Sequence, residues 1–344
     1  MFKKLIIVCV AGMLSATSMA NVISLSDDAP DAYQVRKGDT LWDIAGLYLD
    51  KPWHWPALWQ QNPDIENPHL IYPGDELRLS WQDGQPVLTR KTVEMGDTTP
   101  ISGVSTNILK QYLTYDTLMG AAEVNMAPRV LGNQKGWNYI TTKTPFYADA
   151  VLDHDEWFIY RPVTTFDRQV GEETTTMISL NKVAEARLVR NLDEIAELKL
   201  VHQSQEVKPN DILLPSLGAR TGEIFQPHAA PSDIAGNLVG HLYGSKYVGL
   251  RQIVVVNRGE TDGLDAGHAL SVMMPGAALK GKKGNMRYDS DTDSTADSVV
   301  MTLPDRHAGT LLVIRSYPHF SLAMVVDAEQ PLSSNMNIIS AGGS

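Results

Sequence analysis

A chain of 344 residues with a formal net charge of −11 has room for two or three domains and is too acidic to be drawn to a nucleic-acid backbone. Its one cysteine, Cys9, lies in an apolar N-terminal stretch, so the remainder can form no disulfide and offers no thiol nucleophile. After residue 20 no apolar run approaches the roughly 20 residues that a membrane-spanning helix needs.

Residues 1–20 have the layout of a secretory signal peptide: Lys3 and Lys4, then the apolar Leu5–Leu14, then Ser18-Met19-Ala20 as a small-x-small cleavage pattern. Cys9 follows Val8 inside the apolar core, which rules out a lipid-modified N-terminus. The expectation is export with cleavage before Asn21, and so a periplasmic, cell-envelope location. Asn21–Ala32 is short, polar and acidic.

Residues 33–81 form a compact unit rich in Trp and Pro. Tyr33–Arg36 alternates as a strand does. A turn at Lys37-Gly38-Asp39 follows, and Leu41, Ile44, Ala45 and Tyr48 then fall at i, i+3, i+4 and i+7 on one face of a helix. Asp39 or Thr40 can cap that helix, with Asp43 as the reciprocal acid three residues after Thr40. Lys51-Pro52 ends it. A second short helix is expected from Trp55 to Gln61, with Pro56 in its first turn, and Asn62-Pro63 stops it. A loop through Asp64–Pro73 leads to a last strand, Glu76–Leu79. The order is strand, helix, helix, strand.

Residues 82–86 are a turn-rich break. From 87 to 216 short β-branched and aromatic runs are punctuated by turn residues, as in Trp157–Tyr160 and Ala184–Arg190, which predicts a mostly-β domain. Residues 217–233 read as a linker or crossing loop, and 234–344 as a mostly-β C-terminal domain with strands at Gln252–Asn257, Ala269–Met273, Gly309–Arg315 and Ser321–Val326. The fold class is therefore α+β: a small βααβ module followed by one or two mostly-β domains. One theme recurs. Pro73-Gly74-Asp75-Glu76-Leu77, Pro209-Asn210-Asp211-Ile212-Leu213 and Asp265-Ala266-Gly267-His268-Ala269-Leu270 each set a tight turn directly before an apolar strand. Common turn chemistry and an internal repeat explain it equally well.

Three blocks carry a resemblance: Val35–Ala45, Leu58–Pro63 and Ile71–Leu79, in that order. Together they resemble a LysM domain, over about fifty of the 344 residues. Trp53-His54-Trp55 departs from the family by making the link between the helices more aromatic. The resemblance implies binding of peptidoglycan and other polymers containing N-acetylglucosamine. It places one wall of the glycan groove at Gly38, Asp39, Thr40 and Leu41, and the other at Asn67, Pro68, His69, Leu70 and Ile71. Each has a blander role beside it. Leu41 lies on the core face of the helix, Asp39 and Thr40 can serve as caps, and His69 as a polar loop group. Trp42 and Trp59 can stack on sugar, but such aromatics more often pack. Gly38 lets backbone approach a ring with no β-carbon in the way.

Several catalytic and metal signatures are missing. There is no His-Glu-x-x-His, no Gly-x-Ser-x-Gly elbow and no phosphate-cradling glycine loop. His154-Asp155-Glu156 reads as a polar turn before a strand. Asp289-x-Asp291-x-Asp293 has the first spacings of a calcium loop, but Ser294 and Val300 stand where it needs Gly and Glu. No cofactor or metal is expected. Segments 253–270 and 303–326 resemble the C-terminal half of exported Gram-negative proteins with one N-terminal LysM, which implies no activity for that half. Three functions compete: a non-catalytic peptidoglycan-binding protein whose C-terminal region meets an envelope protein partner, a wall-remodelling hydrolase targeted by LysM, and a structural envelope adaptor.

Overall fold

The computed structural model describes residues 23–55, 58, 71–82, 85–91, 117–136, 140–216, 227–282, 285–288, 299–334 and 336–341. The expected signal peptide and the acidic stretch at 289–298 lie outside the described residues. The N-terminal unit places strand β1 (Ala32–Gln34), helix α1 (Leu41–Tyr48), a 3-10 turn (Pro52–His54) and strand β2 (Glu76–Gln82) in that order. Trp55 and Leu58 are helical, in the span expected for the second helix. Helix α1 starts where its sequence says: the Thr40 hydroxyl accepts from the Asp43 amide at 3.1 Å, and the Asp43 carboxylate accepts from the Thr40 amide at 3.2 Å. Its apolar face is sealed, with Leu41, Ile44, Ala45 and Tyr48 at most 1 % exposed. The sheet does not stop at residue 81. Strand β3 (Gln85–Lys91) pairs with β2 over its whole length, giving the order β1-β2-β3.

The middle region is a twisted antiparallel sheet around one long hairpin. Strand β4 (Thr117–Gly120), helix α2 (Ala121–Met126), β5 (Val130–Gly132) and β6 (Phe146–Ala148) lead into β7 (Glu156–Val170) and β8 (Glu173–Asn191), followed by β9 (Ala196–Gln203) and β10 (Ile212–Pro215). The sheet order is β10-β7-β8-β9-β6-β5, with β4 on the far half of β8. The base of the hairpin holds a core of its own around Phe146, Trp157, Ile159, Leu198 and Leu213. The expected polar turn at His154–Glu156 is there: His154 accepts the Trp157 indole N–H on its carbonyl at 2.7 Å, and Glu156 opens β7.

The C-terminal region comprises β11 (His228–Ala229), β12 (Ala235–His241), β13 (Tyr247–Val248), β14 (Ile253–Val256), β15 (His268–Met274), β16 (Ala278–Lys282), β17 (Asn285–Tyr288), β18 (Val299–Thr302), β19 (Arg306–Ser316), β20 (Ser321–Ala328), β21 (Leu332–Ser333) and β22 (Asn337–Ser340). The path β15-β19-β20-β14-β12-β22 returns from β22 to β15, so the sheet closes on itself like a barrel. β11 adds to β15 in parallel, drawing a strand from the segment read as a linker. β16, β17 and β18 form a separate small sheet.

The apolar run Ile253–Val256 is buried on both faces, as its composition predicts. Val254 and Val256 join the interior cluster with Leu270, Leu311 and Val325. Ile253 and Val255 face a second cluster that also contains Leu41 and Trp42 of the N-terminal unit and Phe166 of the hairpin. All three regions thus contribute to this second cluster, beside the cores that the hairpin sheet and the barrel keep to themselves.

Candidate functional site

The first expected wall is the turn between β1 and α1. Gly38 has φ +97°, and a β-carbon built there would meet nothing within 4 Å. Glycine is demanded by the backbone, not by a crowding neighbour, and the space beside it is open. Asp39 fastens the turn. Its carboxylate accepts from the Arg36 amide at 2.7 Å and from the Tyr33 hydroxyl at 2.8 Å. Partial burial, then the hydrogen bond to Asp39, raises the Tyr33 pKa, so this phenol stays a donor. Thr40 is 5 % exposed and its hydroxyl also donates to Asp43 at 2.8 Å. Leu41 and Ile71 are fully buried. They are floor and support for the turn rather than surface. Asn67, Pro68, His69 and Leu70, the other expected wall, and Trp59 lie outside the described residues.

Beneath the turn, Tyr48 donates to the Leu77 carbonyl at 3.3 Å, and burial pushes its pKa up to about 12. Trp42, Trp53 and Trp55 are each at most 5 % exposed. For Trp42, the packing alternative describes what it does. His54 has its pKa lowered by burial and by nearby Lys51, so it sits neutral near pH 7. Among the described residues no group of three or more His, Cys, Asp or Glu is placed to hold a metal, and no helix is long and apolar enough to cross a membrane.

With this geometry in place, a family model for the LysM domain matches residues 33–80. The chain carries a LysM domain. A 64-residue stretch is also 38 % identical to an uncharacterised protein, YqbP, of Bacillus subtilis strain 168, covering 16 % of this chain and 29 % of that protein. The match therefore spans less than a third of that relative. A LysM domain is a binding module for peptidoglycan and related glycans, and this general capacity belongs to residues 33–80.

The sequence alone missed how the LysM domain is seated. The first turn of α1 abuts the barrel: Thr40, Trp42 and Asp43 share a small pocket with Leu250, Arg251, Met324, Val325 and Val326. Gly38 stays exposed and Asp39 half-buried, while Thr40 lies against another region of the chain. A signal for this existed in Trp42, too large and apolar for a solvent-facing helix position, but nothing local names its partner.

Proposed function

We propose that this protein is a non-catalytic peptidoglycan-binding protein of the cell envelope, exported to the periplasm. The observation that carries the reading is the LysM match at residues 33–80 on a turn whose Gly38 is open to a ligand. A glycan presents amides and hydroxyls on its edges and an apolar face on each ring, which suits a shallow groove of backbone groups with few charges. The turn held by Asp39 arrives preorganised, so little ordering cost falls on binding. The barrel and the hairpin sheet then present a surface to an envelope protein partner. The absence of a His-Glu-x-x-His motif and of a Gly-x-Ser-x-Gly elbow from the sequence supports a binding role over a hydrolytic one.

Co-sedimentation of the full chain with purified sacculi tests the reading. The expected result is retention in the pellet and release by excess chitotetraose, with no clearing of a peptidoglycan zymogram by the same preparation. A chain that stays in the supernatant overturns the binding role, and clearing overturns the non-catalytic one.

A further inference from the structure

The turn that carries the chain from β13 into β14 stands beside the expected groove wall. Its Leu250 and Arg251 share a small pocket with Thr40 and Asp43, and Thr40 follows closely on the open Gly38. The turn is firmly built. The Gln252 side chain accepts the Gly249 amide at 2.8 Å, the Arg251 amide donates to the Val325 carbonyl at 2.7 Å, and the Val325 amide donates to the Gln252 carbonyl at 2.9 Å. Arg251 has φ +65°, and among the described residues only Asn210 joins it as a non-glycine residue with positive φ. Asparagine visits that region routinely, whereas arginine is strained there. Strain of this kind persists only where the surroundings fix it, and it clusters at binding sites. The side chains of the turn are turned outward. Leu250 is 56 % exposed and Tyr247, just before it, 58 %. Arg251 is exposed as well, and its guanidinium makes no ion pair or hydrogen bond among the described residues. Asp43, in the same pocket, is occupied elsewhere, since its carboxylate accepts from the Thr40 amide and hydroxyl.

We infer that Arg251, with Leu250 beside it, extends the LysM groove onto the barrel as a subsite for the peptide of peptidoglycan, which carries free carboxylates that chitin lacks. This rests on the glycan-binding reading of residues 33–80 and adds a choice between glycans to it. The whole chain has a net charge of −11, so an anionic polymer meets a general repulsion. A guanidinium at the edge of the groove offsets that repulsion where the polymer is held. Its planar fork matches a carboxylate through two parallel hydrogen bonds, and the exposed Leu250 offers apolar surface to the rest of a short peptide. Lys246, 5.5 Å over the Tyr247 ring, adds a second cation to the same stretch. The barrel thus supplies what the LysM domain needs to tell a peptide-bearing glycan from a bare one.

The test is calorimetric titration of the full chain with three ligands: chitotetraose, a peptide-bearing tetrasaccharide released from sacculi, and that tetrasaccharide stripped of peptide by an amidase. At low salt the peptide-bearing ligand should bind about fivefold more tightly than the other two, the upper end for an exposed ion pair. The margin should shrink as salt rises. Arg251→Gln keeps a long polar side chain and removes the charge. It should erase the margin and leave the affinity for chitotetraose unchanged. A parent chain that binds chitotetraose and the peptide-bearing ligand equally, or an Arg251→Gln chain that keeps the margin, overturns the subsite and leaves the groove standing. Equal loss of all three ligands in Arg251→Gln marks a structural role and overturns it too. A stripped glycan that binds as tightly as the peptide-bearing one moves the contact to the sugar's own carboxylate and overturns the peptide. Binding of none of the three by the parent chain overturns the groove and the subsite together.

Discussion

Asp39 and Asp43 divide the β1–α1 turn between them: the first ties it to β1 through Tyr33 and Arg36, the second closes the cap on Thr40. Because the Thr40 hydroxyl both accepts from the Asp43 amide and donates to its carboxylate, it is spent on the helix. Thr40→Ala should therefore cost about 0.5–2 kcal/mol of stability and leave the chitotetraose affinity of the folded protein unchanged, read by thermal melts beside calorimetry. Gly38 should behave in the opposite way. With φ +97° and open space beside it, Gly38→Asn keeps a side chain that tolerates positive φ while projecting it into that space. Affinity should fall by more than the melting point does. Gly38→Val adds backbone strain and should lose both. Leu41→Ala is the core control, expected to cost about 2–5 kcal/mol through a cavity.

The recurring turn motif is one structural device used in the main sheet of each of the three regions. Gly74, Asn210 and Gly267 have φ of +101°, +72° and +100°, and each stands third in a turn that launches β2, β10 or β15. In each the next residue bonds back three positions: Asp75 accepts the Tyr72 amide at 3.0 Å, Asp211 that of Lys208 at 2.8 Å, and the His268 ring nitrogen that of Asp265 at 2.8 Å. The pattern was visible in the sequence, but the shared bond was not, because His268 disguises the acid of the other two. The histidine brings a pH dependence. Burial, then neighbouring His228, lowers its pKa, and its ring lies 4.3 Å from that of His228. A lowered folded-state pKa means the unfolded chain takes up the proton first. Stability is then full above the unfolded value of about 6.5 and is lost as pH falls through the folded one. His268→Asn, which keeps an acceptor for Asp265, should flatten that part of the stability–pH curve in urea melts between neutral and mildly acidic pH.

At the scale of the whole molecule, the far end of the β7–β8 hairpin is riveted to the barrel. Arg168 donates to both oxygens of Asp262 at 2.6 and 2.7 Å and to the His319 carbonyl at 2.8 Å. Phe166 lies so close to Gly240 that a β-carbon there would stand 3.0 Å from its ring. Burial alone would raise the Asp262 pKa, yet the hydrogen bonds from Arg168 and the Gly259 amide hold it below the usual carboxylate range. A depressed acid contributes stability above its unfolded pKa of about 3.9 and loses it as pH falls through the folded one. Arg168→Ala should cost about 2 kcal/mol, the scale of hydrogen bonds to a charged group. It should also separate the melting of the hairpin sheet from that of the barrel, seen as a second transition in calorimetry. A single, unshifted transition would mean that the apolar contacts around Phe166 hold the regions together alone.

The sequence by itself determined the local half of this protein. The capped helix α1, the turns before β2, β10 and β15, and the strands read at 252–257, 269–273, 309–315 and 321–326 all follow from signals within a few residues of each other, where backbone sterics and hydrogen-bond reach decide the outcome. The LysM pattern was legible for the same reason, since its order of short elements is written in one stretch of chain. Only the tertiary structure decided what those surfaces meet. Periodicity says that Ile253 and Val255 are buried, not that Trp42 and Phe166 help to bury them. It cannot close β22 onto β15 or carry β3 into the LysM sheet. Nor can it set Thr40 and Trp42 against Leu250 and Met324. Such pairings join residues far apart in sequence, and an apolar face carries no record of its partner because the hydrophobic effect that drives its burial has no direction.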